Sequence, residues 1–429
     1  MEELAKICEV YEPVGYEADE TPPLIAPKPA KDFVVVKPRS SEEVARILRF
    51  ANERRIPVFI RGGGTGLSGG AVPTKRGIVL STERLKELSV DVRNRFADCG
   101  AGVTLRELEA AAESRGLSFP PHPGAETATV GGMIATNAGG MRALKYGTMR
   151  NYVLACEVVL ADGKILQLGS RTLKNSTGYP LLQLFIGSEG TLGVITRATL
   201  KLFPSLRESV GVVAAFDSTE EAVNAIIELS KTLLPLALEF MEDRAVEIGE
   251  SVVGKRWPVR GRAHVFAIFE NFAEAERSAE VLGDAVVASG KELRDLMLIR
   301  GSIYEGLRKN IIEILDVCVP PGEIAIYLKE SERIAAKYGV DVITYGHAGD
   351  GNLHQHPLVY EGWRETYFSF REELFELATK LGGVISGEHG IGEVKREEFR
   401  KLYPEQYELM RKLKSLFDPN GILNPGKVV

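Results

Sequence analysis

The sequence predicts an α+β protein, and three observations predict it. Short β-branched runs alternate with segments of helical period that open on capping residues. The texture changes after Phe203-Pro204, where a second strand–helix pattern begins. The 44 glycines in 429 residues are unevenly spread: five windows, 62–70, 124–147, 187–193, 346–351 and 382–392, total 57 residues and hold 23 of them.

Residues 33–60 read as strand, helix, strand. Phe33-Val34-Val35-Val36 is β-branched. Ser40-x-x-Glu43 is a capping box ahead of Val44, Ile47, Leu48 and Ala51 at helical spacing. Pro57-Val58-Phe59-Ile60 is the next strand, a glycine loop runs from Arg61 to Gly70, and Ile78-Val79-Leu80 is a strand again. Thr104-x-x-Glu107 caps a helix that Gly116 can end. Residues 152–168 and 192–202 read as strands, with Ala161-Asp162-Gly163-Lys164 as a hairpin turn. Beyond a boundary near residue 206, a strand at 210–216 precedes a helix capped by Ser218-x-x-Glu221, then strands near 263–269 and helices near 273–289. From about residue 382 the chain returns to a glycine-rich style.

Length and composition exclude several classes. The chain is long enough to bury large cores without disulfide or metal staples. Lys plus Arg is 53 and Asp plus Glu is 59, a net charge of −6 with no basic stripe, so no nucleic-acid partner is expected. No apolar run approaches the roughly 18 residues of a membrane helix. The start, Met1-Glu2-Glu3-Leu4-Ala5-Lys6, is not a signal peptide, so a cytoplasmic location is expected. Cys8, Cys99, Cys156 and Cys318 are far apart and form no CxxC, which argues against iron–sulfur or thiolate zinc sites.

Gly64-x-Gly66-x-x-Gly69 matches the dinucleotide fingerprint formally, but Pro73 interrupts and a strand follows instead of a helix, which rejects the Rossmann reading. Arg61-Gly62-Gly63-Gly64-Thr65-Gly66 still suits an anion, because its amides can converge into a nest. Pro123 to Gly140 is made almost wholly of small residues and can lie flat against a planar ligand or against another backbone. His347, His354 and His356 fall in one stretch, where strand 341–345 and the turn Ala348-Gly349-Asp350-Gly351-Asn352 form a hairpin. That places His347 near His354 across its mouth, with His356 on the face of His354. Two imidazoles and the Glu388 carboxylate suit a divalent metal, zinc or another first-row ion; each histidine alone also fits a satisfied polar residue.

Together, Arg61-Gly-Gly-Gly-Thr65, Thr136-Asn-Ala-Gly-Gly140, Gly187-Ser-Glu-Gly190, Gly346-His-Ala-Gly-Asp-Gly-Asn-Leu-His354, Gly387-Glu-His-Gly390 and Asn424-Pro-Gly426 resemble, in that order, the vanillyl-alcohol oxidase / p-cresol methylhydroxylase flavoproteins. The resemblance runs from about residue 30 to the end. It is closest to the branch of D-lactate dehydrogenase, the glycolate oxidase flavin subunit and D-2-hydroxyglutarate dehydrogenase. It implies a two-subdomain FAD-binding domain over 1–206, a substrate or cap domain over 207–381 with an antiparallel sheet flanked by helices, and a segment, 382–429, that returns to the FAD domain. It implies non-covalent FAD held by Arg61, Gly62, Gly63, Gly64, Thr65 and Gly66. Further contacts are implied from Pro123, Gly124, Thr127, Gly131, Gly132, Ala135, Thr136, Asn137, Gly139 and Gly140, and from Val194, Ile195 and Asn424.

The same resemblance implies metal ligation by His347, His354 and Glu388, with His389 as general base. Arg308 is the candidate carboxylate clamp, since a guanidinium fork binds a carboxylate in two contacts; its other reading is a solvated helix arginine beside Lys309. One departure matters. Hydroxyglutarate-type members carry Lys two residues before the Asp that matches Asp316, and here that position is Ile314. A second substrate carboxylate loses its cation, which favours a monocarboxylate such as D-lactate. The expected activity is FAD-dependent oxidation of a D-2-hydroxyacid, D-lactate to pyruvate, with D-2-hydroxyglutarate or glycolate oxidation as the alternative. A transferase like alkyl-dihydroxyacetone-phosphate synthase fits less well, because no run of consecutive histidines is present. A non-haem iron oxygenase would leave the Arg61–Gly70 loop unexplained. The electron acceptor, whether quinone, cytochrome, electron-transfer flavoprotein or iron–sulfur subunit, is left open, as are peripheral membrane contact and a homodimer.

Overall fold

The computed structural model describes residues 2–205 and 209–429, so the boundary expected near residue 206 lies outside the described residues. The N-terminal part holds two main sheets and a two-stranded ribbon of Leu117–Ser118 with Phe203–Pro204. In the first, Phe33–Val36 and Val58–Arg61 both pair in parallel with Gly77–Ser81, and Val10–Tyr11 adds an antiparallel edge. The crossover helix Ser41–Arg54 covers it, burying Val44, Ile47, Leu48 and Ala51 against Val36, Val58, Ile78 and Leu80. Ser40 caps that helix by accepting the Glu43 N–H at 3.3 Å; Glu43 reaches back to the Arg39 N–H, so the reciprocal box is displaced by one residue. Thr104 and Glu107 form the full box ahead of Leu105–Glu113.

The second sheet is antiparallel, in the order Leu88–Asp91, Phe96–Gly100, Val194–Lys201, Val153–Val159, Ile165–Gly169. Helices Leu105–Glu113 and Val130–Thr136 pack on it. These are the two subdomains that the resemblance implies.

The third sheet has seven antiparallel strands: Ala285–Ser289, Val210–Phe216, Ala263–Phe269, Ala237–Glu242, Val342–His347, Asn352–Pro357 and Leu315–Cys318. Helices Thr219–Ser230, Phe272–Leu282, Ile324–Tyr338 and Trp363–Lys380 contribute to the core on one face; Asp243–Val253 and Gly290–Leu307 contribute to a second core. One expectation needs correction. The helical reading of 273–289 ends at Leu282, because Gly283 takes the left-handed φ of +83° that stops a helix. Ala285–Ser289 then pairs with Val210–Phe216 as the edge strand, as its β-branched Val286-Val287 prefers.

The last residues close the chain on the first sheet. The Val58 N–H donates to the Ile422 carbonyl at 2.7 Å, and the Asn424 N–H to the Val58 carbonyl at 2.8 Å. Among the described residues no helix is long and apolar enough to cross a membrane.

Candidate active site

The hairpin Val342–His347 / Asn352–Pro357 turns at Gly351, whose φ of +89° favours glycine. Register places His347 opposite Asn352 and Tyr345 opposite His354. The His347 and His354 rings therefore meet at the mouth, with centroids 5.3 Å apart and planes at 89°. Leu315–Cys318 pairs on the outer side, with Asp316 opposite His354.

The Glu388-His389 loop is brought to this mouth by clamps from three parts of the chain. The Asp316 carboxylate accepts the Glu388 N–H at 3.0 Å, the His389 N–H at 2.8 Å and the Ser386 hydroxyl at 2.9 Å. Glu189, from the Gly187–Gly190 stretch, accepts the Ile391 and Gly392 N–H groups at 2.8 and 2.9 Å. The Ser68 hydroxyl, within the first glycine loop, lies 3.1 and 3.2 Å from the His389 and Gly390 carbonyls. Three Nε2 atoms then converge on one oxygen. His354, His347 and His389 stand 3.3, 3.5 and 3.8 Å from Glu388 Oε1.

The electrostatics call for positive charge here. Glu239 and Asp316 are fully buried and Glu388 nearly so, facing two buried cations, Arg300 and Lys395. Asp350 is a fourth carboxylate nearby, and burial pushes its pKa up to about 6. Burial opposes charge on His347, but Glu239 at 2.6 Å outweighs it and raises that imidazole to about 10. A proton there and a dication among the Nε2 atoms are alternative ways of neutralising the same cluster. His347, His354 and Glu388 offer three ligand atoms mutually within 4.8 Å, a donor set that fits zinc or another first-row ion.

His389 also lines an open cleft between the two N-terminal sheets and this cluster. Its walls are the glycine loops. A Cβ at Gly62 or Gly63 would strike Thr129 or the Thr127 carbonyl, so those two glycines let the first loop pack on the second. Gly66 is different. The nearest atom that a Cβ would meet is Asp19 Oδ2 at 3.9 Å, so protein packing does not impose glycine, and its bare backbone faces the cleft. A planar dinucleotide fits a wall of this kind. Gly66→Val is expected to yield a folded, colourless protein, with thermal unfolding close to the parent and little flavin retained; a fully yellow variant would contradict the cradle.

A model of the FAD binding domain matches residues 33–169, and one of the C-terminal domain of FAD linked oxidases matches residues 206–428. The chain is 63% identical over 437 residues to a D-lactate dehydrogenase of Archaeoglobus fulgidus, covering 100% of this chain and 99% of that one. The chain belongs to the FAD-linked oxidase family. It is also 38% identical to the glycolate oxidase subunit GlcD of Bacillus subtilis, over 92% of this chain and 88% of the relative. Its fold is that of 4-ethylphenol oxidase from Gulosibacter chungangensis, with TM-score 0.77 at 21% identity, covering 100% of this chain and 96% of that one.

Within this FAD-linked oxidase, Gly62 to Gly66, Pro123, Gly131, Gly132, Ala135, Thr136, Gly139, Ile195 and Asn424 line the cleft. The other expected FAD contacts do not. Arg61 turns away, donating to the Ala18 carbonyl at 2.7 Å and lying over the Tyr16 ring. Asn137 spends its side-chain oxygen on Thr148 and the Arg150 N–H. Thr127 packs on Gly63, Gly140 on the His122 backbone, and Val194 lies in the core under the first sheet. Gly124 stands at an open turn with φ +82°.

His347, His354, Glu388 and His389 are brought together; Arg308 is not. It ends the helix Gly290–Leu307 and pairs at the surface with Glu305 at 3.1 Å, its side chain 45% exposed. Eight residues of helix carry it about 12 Å along the axis from Arg300. Arg300 is the buried arginine of that helix. Its Nε donates to Glu239 at 2.7 Å, and its guanidinium lies over Tyr345 at 4.7 Å. His356 lies on the face of His354, as expected, but outside the ligand set, bonded to the Ile343 carbonyl and stacked on Tyr345. Sequence reasoning missed Arg300, Glu239 and Asp316. The available signal was a charged residue inside an otherwise apolar run, as in Ala237-Leu238-Glu239-Phe240-Met241, which burial makes costly without a partner.

Proposed function

We propose that this protein oxidises a D-2-hydroxyacid, D-lactate to pyruvate, at the junction of the FAD cleft and the histidine cluster. The observation that carries the reading is His389, which lines the cleft and belongs to the cluster at once. The 63% identity with a D-lactate dehydrogenase over the whole chain supports the substrate. Oxidation at C2 requires loss of a hydride from carbon and a proton from the hydroxyl. FAD, when bound, supplies the hydride acceptor. A divalent metal held by His347, His354 and Glu388 would supply Lewis-acid polarisation of the hydroxyl.

The chain's own residues do the rest. His389 Nε2 takes the hydroxyl proton. Burial pushes the His389 imidazole down to about 4, against the pull of Asp316, so it stands neutral and ready to accept. The rigid clamps from Asp316, Glu189 and Ser68 fix that atom relative to the cleft, which limits the reorganisation needed to react. Arg300 is placed better than Arg308 to hold the substrate carboxylate, because it is buried beside the cluster; Nε and Nη2 serve Glu239, and Nη1 lies outside that pair. Ile314 is buried in an apolar core and offers a second carboxylate nothing.

The test is anaerobic mixing of the yellow protein with a panel of D- and L-2-hydroxyacids. D-lactate is expected to bleach the flavin faster than D-2-hydroxyglutarate, glycolate or L-lactate. Faster bleaching by a dicarboxylate would reassign the substrate, and no bleaching by any of them would remove the reading.

A further inference from the structure

We propose that Asp316 is a shared positioning carboxylate that holds both His354 and His389 with the proton on Nδ1 and the Nε2 lone pair toward Glu388. The inference deepens the proposed function, since it rests on His354 as a ligand and His389 as a base.

The geometry repeats itself around the cluster. Each of the three histidines points Nε2 at Glu388 Oε1 and Nδ1 at a buried carboxylate. For His347 that carboxylate is Glu239, at 2.6 Å. For the other two it is the same group: His354 Nδ1 is 3.7 Å from Asp316 Oδ1, and His389 Nδ1 is 3.6 Å from Asp316 Oδ2. Both Nδ1 atoms are buried and have no hydrogen-bond partner among the described residues. The two rings stack, 5.1 Å apart and 13° from parallel, so one carboxylate stands at the same end of both. A neutral imidazole carries one proton, and a nitrogen that ligates or accepts must lack it. The only way to free Nε2 is to place the proton on Nδ1, where a buried anion favours it.

Asp316 is itself held fast. Oδ2 accepts three hydrogen bonds, from the Ser386 hydroxyl and the Glu388 and His389 N–H groups. Oδ1 accepts one, from Asn352 Nδ2 at 2.8 Å, and has capacity for another. Asp316, His354 and His389 could also be read as a second metal triad. The three donors on Oδ2 and the Lys395 ammonium 3.6 Å away oppose a cation there, and toward His389 Nδ1 that oxygen acts through its charge across 3.6 Å and not as a hydrogen-bond acceptor. Asp316 therefore serves the histidines and not an ion.

The direct test needs no variant. In FAD-loaded protein with ¹⁵N-labelled histidine rings, two-bond ¹H–¹⁵N correlations report which ring nitrogen carries the proton. The measurement is made with zinc bound and again after chelation at mildly alkaline pH, and signals are assigned by His354→Gln and His389→Gln. Both rings are expected to show a protonated Nδ1. A proton on Nε2 of either ring in the chelated protein, or two zinc ions per chain, would overturn the proposal.

Asp316→Asn adds a directional test. The three donors at Oδ2 require an oxygen to remain there, so the new NH₂ group falls at the Oδ1 position, facing His354 Nδ1. His354 is expected to switch its proton to Nε2 and zinc affinity to fall about 10- to 100-fold, while FAD content is unchanged. A variant with unaltered tautomers and unaltered zinc affinity would reduce Asp316 to a loop anchor and overturn the proposal. A parent with Nδ1–H tautomers that nonetheless binds no zinc and keeps its bleaching rate in His389→Gln would instead remove the proposed function, so the two failures are distinguishable.

Discussion

His389→Gln yields a yellow protein whose flavin is reduced by D-lactate at least about a hundred times more slowly, the usual lower range for losing a general base. FAD content should hold, because the loop is fixed mainly through its backbone, by Asp316 and Ser68 at residue 389 itself, and those bonds survive the change. The pH dependence carries a sign. Burial is the larger influence on His389 and lowers its pKa to about 4, so the neutral form persists as pH falls through the ordinary histidine range. The parent's flavin-reduction rate should therefore stay level between about pH 8 and pH 6. Stopped-flow absorbance measures both effects. An unchanged rate in the variant would take the base role away from His389.

Chelation is expected to slow flavin reduction at least about a hundredfold and zinc to restore it, because a Lewis acid supplies several kcal/mol at an ionising hydroxyl. Glu388→Gln should do the same and resist rescue, having lost the negative charge on which three imidazoles converge. FAD should remain bound in both, since most of the cleft wall belongs to the glycine loops. The cluster's charge supports the expectation: Glu239, Asp316 and Glu388 face Arg300 and Lys395, an excess of one negative charge that a metal ion can take up in place of the His347 proton. A chelated protein that elemental analysis shows to be metal-free, yet reacts at the full rate, would rule out the metal.

What the sequence made legible were features written in local pattern. The Gly351 turn between two strand-like runs placed His347 beside His354, and the glycine windows marked the walls of the cleft. Partners distant in sequence were not legible. Asp316 reaches His389 across 73 residues, and Glu239 reaches His347 across 108, through sheet order that no local period encodes. Arg308 drew the clamp reading and Arg300 drew none, because a helix's exposed and buried arginines differ only in what faces them. Gly62 and Gly63 serve backbone packing, and Gly66 the cleft, a distinction that required the position of Thr127 to Thr129.

The most direct measurement is the rate of anaerobic flavin bleaching by D-lactate carrying deuterium at C2. Transfer of that hydrogen to the flavin beside His389 predicts bleaching that is several-fold slower than with ordinary D-lactate and absent with L-lactate. Bleaching equally fast with both D-isotopologues and with L-lactate would contradict the account.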